Sequence, residues 1–120
     1  MGPSRHAVER LLPLRPIVFQ VLLSLIDDDL HGYALVQDIA RRTASRVELE
    51  PGNLYRHLKT MLDTGLIEES DRRPASADDE RRRYYRITKL GRLAAAEETR
   101  RLEGVLADAR ARLARSPGAR

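Results

Sequence analysis

From residue 89 to about 115 the chain runs through Ala, Leu, Glu and Arg without a proline, the next being Pro117. As one helix this stretch reaches about 40 Å, further than a single small domain can cover. Within it Ala95, Thr99, Leu102, Leu106, Ala109 and Leu113 alternate four- and three-residue spacings, the pattern of a heptad seam. Glu97–Arg101 and Asp108–Arg112 stand as i, i+4 pairs on its outside. A stripe packed on its own domain would use only part of that seam. The rest needs a second helix, so the expectation is a dimer.

The other residues suit one domain. At 120 residues the chain holds a single core. It has five aromatic residues and no Trp, so no large aromatic-lined pocket is expected. With no Cys there is no disulfide, thiolate site or cysteine nucleophile. His6, His31 and His57 lie far apart with no chelating spacing, so neither a metal nor a cofactor is expected. The longest apolar run, 17–26, reaches about 15 Å as a helix, half the thickness of a bilayer core. It lacks the marks of a signal peptide. A cytoplasmic protein without membrane contact is the expectation.

Net charge is +4, concentrated after residue 88, where eight Lys and Arg stand against four acids. Bulk charge therefore permits a nucleic-acid partner without pointing to one.

Along the chain, residues 1–13 read as a loose arm or short helix. Pro16 suits the first turn of a buried helix ending at the acidic 27–29. Leu35, Val36, Ile39 and Ala40 give 30–43 one apolar stripe, with Arg41 and Arg42 at its carbonyl end. His31 serves the start of that helix and Gly32 permits close packing there. Residues 44–50 connect, with at most a short extended piece at 47–49.

Pro51 then opens a helix over 51–64, with Leu54, Leu58, Met61 and Leu62 facing inward and Gly65 as its cap. Asn53, Arg56, His57, Lys59 and Thr60 face away. Two strands follow, "LIEESDR" and "RRRYYRIT", around a polar tip. Adjacent Tyr84 and Tyr85 point to opposite faces, one to core and one to surface. Thr88 caps the long final helix.

Helix, helix, helix, hairpin, long helix is the order of a winged helix-turn-helix, mainly α with a small β-hairpin. Its boundaries read as 14–88 for that unit, 89–115 for the dimerisation helix and 116–120 for a disordered tail. In this architecture the third helix enters the major groove and polar side chains near its start read base edges. Asn53 suits adenine, Arg56 suits guanine, and Lys59 suits a base or a phosphate. The hairpin is the wing, with Arg72, Arg73, Arg81, Arg82 and Arg83 expected to reach phosphates or an adjacent minor groove. Asp71, Asp78, Asp79 and Glu80 share that loop. Either those acids face solvent and the arginines face DNA, or the wing pairs with itself.

"HGY" at 31–33, "PGNLYRHLKTMLDTGLIEE" and "YYRITKLGR" at 84–92 together resemble the PadR family of bacterial transcriptional regulators, from about 14 to about 108. The resemblance implies a homodimer through the C-terminal helix with help from the first long helix. Here those positions are Ala95, Leu102, Leu106, Ala109 and Leu113 beside Phe19 and Leu22. It also implies repression at a palindromic operator. Tyr33, Gly52, Asn53, Tyr55 and Arg56 fall where the family meets the DNA backbone and bases. The single final helix is similar to the short subfamily. Drug-binding members of that class sandwich planar ligands with a Trp, which this chain lacks, so direct sensing of a flat aromatic ligand does not carry over, and a small-molecule effector is left open and unidentified. The rival function is a winged-helix module that binds another protein. An enzyme is not expected, since no acid/base pair, nucleophile with a base, or phosphate loop is present.

Overall fold

The computed structural model describes residues 4–47, 49–71 and 82–115. The elements follow in the order α1 (Arg5–Glu9), α2 (Pro16–Leu25), β1 (Leu30–His31), α3 (Gly32–Arg42), α4 (Pro51–Thr64), β2 (Ile67–Ser70), β3 (Tyr84–Ile87) and α5 (Lys89–Arg115).

Punctuation residues set most of these limits. Pro16 and Pro51 open α2 and α4, where a missing N–H costs nothing. Gly65, at φ +81°, takes the left-handed conformation that ends α4, and the Leu66 N–H returns to the Met61 carbonyl at 2.9 Å. Thr88 caps α5: its hydroxyl accepts from the Gly91 N–H at 3.1 Å. The turn from α4 into the sheet is held from the same side, because the Thr88 N–H donates to the Leu66 carbonyl at 3.2 Å.

One core joins all the helices. Val21, Leu22 and Leu25 of α2 meet Leu35 and Ile39 of α3, Leu54, Leu58 and Met61 of α4, and Ala94 and Ala95 of α5. The segment expected as a loose arm is the short helix α1, and its Val8 is buried in that core. Arg41 and Arg42 do more than face the dipole of α3. Arg42 bonds to Asp38 Oδ2 at 2.9 Å and crosses to α2, reaching Gln20 Oε1 at 2.7 Å and Ser24 Oγ at 2.7 Å.

Two expectations are corrected in the sheet. It has three strands in the order β1-β3-β2, all antiparallel, with Leu30 and His31 paired to Tyr85 and Tyr84. Because β3 is central, both of its tyrosines are buried. Tyr85 joins the core, while Tyr84 meets the His31 ring edge-on with centroids 5.2 Å apart. No strand forms at 47 or 49 among the described residues of that connection.

The expected Glu97–Arg101 pair is also replaced. Arg101 holds the buried Glu98 with two bonds of 2.8 Å, and Glu97 pairs with Arg100 at 2.8 Å. Glu98 also accepts from the Leu14 N–H at 3.3 Å, tying the segment before α2 to α5. The Arg101 hydrogen bonds hold the Glu98 carboxyl below its ordinary value of 4.5, against burial, which pushes it up. A depressed carboxyl contributes stability that is full above the unfolded value and lost as pH falls through the folded one. Glu98→Gln is therefore expected to lower Tm at neutral pH and to flatten the acid limb of a stability–pH curve. Equal acid sensitivity in the two proteins would contradict this role.

Candidate nucleic-acid interface

Helix α4 divides cleanly between its two faces. Leu54, Leu58 and Met61 are buried, while Gly52, Asn53, Tyr55, Arg56, Lys59 and Thr60 are exposed. The polar side chains on the outward face make local contacts: Arg56 donates to Asn53 Oδ1, and Lys59 lies 3.5 Å from Asp63. His57 is half-buried, beside Arg15 and Val18. Nothing lies within 4 Å of where a Gly52 side chain would begin, so the start of α4 is open to an approaching surface.

Next to that start is a cleft lined by His31, Gly32, Tyr33, Tyr55, Arg82, Arg83 and Tyr85. It forms because β1 carries His31 into the sheet beside β3 and the first turn of α3 begins at once. His31 caps that turn, accepting at Nδ1 from the Ala34 N–H at 3.2 Å. Its Nε2 lies 3.2 Å from Arg82 Nη1 at the base of the wing. Burial and the Arg82 charge lower the His31 pKa, which keeps Nδ1 free to accept. Burial, the Tyr55 phenol and the Glu69 carboxylate raise that of Tyr85, against the Arg83 charge, so its hydroxyl remains neutral.

Tyr33 and Tyr55 are the two most exposed aromatic rings, at 62% and 53%. Two tyrosine hydroxyls, two guanidinium groups and a helix start thus converge on one side, a set suited to an anion.

The wing is described in part. Arg72, Arg73 and Arg81, with Asp78, Asp79 and Glu80, lie outside the described residues. At the strand bases, Arg83 pairs with Glu69 at 3.7 Å and Arg86 with Glu68 at 3.1 Å. The acids concerned belong to β2, not to the tip. Exposed pairs of this kind are weak.

The seam on α5 splits in two. Ala95 is buried in the chain's own core, as is Leu22 on α2, so neither offers surface to a second chain. Further along, Leu102, Val105, Leu106 and Leu113 are exposed at 38% to 70%, with Ala109 half-buried. Phe19 is half-buried. Sequence reading missed Val105 as an exposed apolar neighbour of the seam, and His31, Gly32 and Tyr85 as a lining. The adjacency of "HGY" to a strand was the signal for the latter three.

Helices α2, α3 and α4 around a common core, with the β2–β3 hairpin following α4, define a winged helix-turn-helix protein. Residues 21–97 match the transcriptional regulator PadR-like family, and the chain belongs to it. No curated sequence matches. Among solved structures, a PadR-like regulator from Bacillus cereus superposes with TM-score 0.68 at 20% identity, covering 90% of this chain and 96% of that one. A transcriptional regulator from Clostridium thermocellum gives 0.65 at 21% identity, covering 90% and 95%. Bacillus subtilis PadR in complex with operator DNA gives 0.59 at 20% identity, covering 71% of this chain and 47% of that one. Among the described residues, no helix is long and apolar enough to cross a membrane, and no group of three or more His, Asp or Glu is placed to hold a metal ion.

Proposed function

We propose that this regulator is a non-enzymatic, sequence-specific DNA-binding repressor that acts in the cytoplasm on a palindromic operator as a homodimer. In this reading 14–88 meets the DNA and 89–115 joins the two copies. One observation carries it: the face of α4 bearing Asn53, Arg56 and Lys59 has no duty in the core and stands beside the cationic cleft. Arg56, steadied by Asn53, suits the paired acceptors of guanine, and Lys59 suits a base or phosphate further along the groove. Tyr33, Tyr55, Arg82 and Arg83 hold the backbone alongside. The operator complex of the Bacillus subtilis relative supports DNA as the partner class.

A gel shift with the chain's own promoter duplex at rising salt tests the reading. Binding is expected to weaken steeply as phosphates recover their counterions. Arg56→Ala is expected to cost about tenfold to a hundredfold in operator affinity and to relax selection at one base position, with fold and oligomeric state unchanged. A protein that shows no sequence-selective shift at any salt is instead the protein-binding module.

A further inference from the structure

Gly32 is the first residue of α3 and is buried, although it lies next to the open cleft. What buries it is Tyr55 of α4. A side chain begun at Gly32 would meet Tyr55 Oη at 2.8 Å, Cζ at 3.1 Å and Cε1 at 3.3 Å. The phenol edge therefore rests directly on the backbone at the start of α3. It does so while the residue as a whole stays half exposed, and its hydroxyl makes no hydrogen bond among the described residues. His31 holds the seat in place from the other side, through its cap on the Ala34 N–H.

We propose that Gly32 is a positioning residue for DNA binding: its missing side chain seats the Tyr55 ring so that the hydroxyl is presented, already oriented, to a backbone phosphate in the cleft. The inference rests on the DNA-binding reading above. A free tyrosine on a helix surface samples several rotamers, whereas here Tyr55 lines the cleft together with Tyr33 and the wing arginines Arg82 and Arg83. Resting the ring on the bare backbone limits that sampling before DNA arrives, so less ordering is left for the complex. Alanine at position 32 would suit the helix itself, since Gly32 has no positive φ. Its cost is steric and falls first on Tyr55, whose atoms are the three nearest.

The test joins Gly32→Ala with Tyr55→Ala in the full chain. Ring-carbon NMR on the DNA-free protein, which has only four tyrosines to assign, reads the seat directly. Gly32→Ala is expected to shift the Tyr55 ring resonances. It is expected to weaken binding about fivefold on operator and on unrelated duplex alike, because a phosphate contact carries no sequence information. In the Tyr55→Ala background the same substitution is expected to change affinity less than twofold. Unmoved ring resonances, or an equal loss in both backgrounds, overturn the proposal. If the ring moves but the unsubstituted protein selects no duplex, the DNA-binding reading fails and the phosphate role falls with it, while the seat itself stands.

Discussion

Gly91→Ala is expected to cost about 3 kcal/mol or more of stability, at the upper end of what overpacking does, and to lower Tm by about 10 °C. The backbone of Gly91 is ordinary helix, so alanine would by itself favour α5. Space decides the sign. A Cβ at this position would lie 2.2 Å from the Leu66 carbonyl oxygen, 2.8 Å from Ile87 Cγ1 and 3.2 Å from Leu22 Cδ2. The first of these is backbone, and it is already fixed by the Thr88 N–H and hydroxyl at 3.2 and 3.0 Å. Relief therefore means lifting α5 off the turn between α4 and β2. Gly104→Ala is the matched control in the same helix, where nothing lies within 4 Å. It is expected to stabilise by up to about 1 kcal/mol. Thermal and urea unfolding of the two variants measures both. A Gly91→Ala protein as stable as its parent would mean that α5 does not rest on that carbonyl.

The double substitution Leu102→Asp with Leu106→Asp is expected to leave a folded monomer whose operator affinity is at least about a hundredfold weaker. Both side chains are well exposed and outside the core, so the cost to the single chain is small. Across a dimer seam the new carboxylates would be buried opposite like charges. Once the copies separate, each half-site is bound alone and the gain from linked binding is lost, commonly a factor of 10² or more. Light scattering reads the oligomeric state and anisotropy on a palindromic duplex reads affinity. A parent protein that is already monomeric, or a variant that remains dimeric, removes the seam as the interface.

Local punctuation made the helices legible. Pro16, Pro51, Gly65 and Thr88 mark ends that depend on the chemistry of one residue and its near neighbours. Non-local pairing did not show. Leu30–His31 is too short for any periodicity and becomes a strand only because Tyr84 and Tyr85, over fifty positions later, hydrogen-bond to it. The burial of Tyr84 follows from that pairing and was missed with it. Ala95 illustrates a different limit. A heptad states which residues share a face, not whether that face meets the same chain or another. On α5 the answer changes between Ala95 and Leu102. Arg101 takes Glu98 rather than Glu97 because Glu98 faces Leu14, a contact across 84 positions.

The site divides along the same line. The outward set on α4 was readable because it is what the apolar stripe leaves over. Of the seat under Tyr55 only the close packing at Gly32 was legible, and its partner was not, because that depends on α3 and α4 meeting at one atom-wide place.

Strand β3 ends at Ile87 and α5 begins at Lys89, with Thr88 between them bonded to the first turn of α5 and to the turn between α4 and β2. There is no slack at that joint. The middle strand of the sheet and the 27-residue helix are joined through that one residue. In the dimer proposed above, a tilt of α5 would reach the middle strand of the sheet with no loop between them to absorb it.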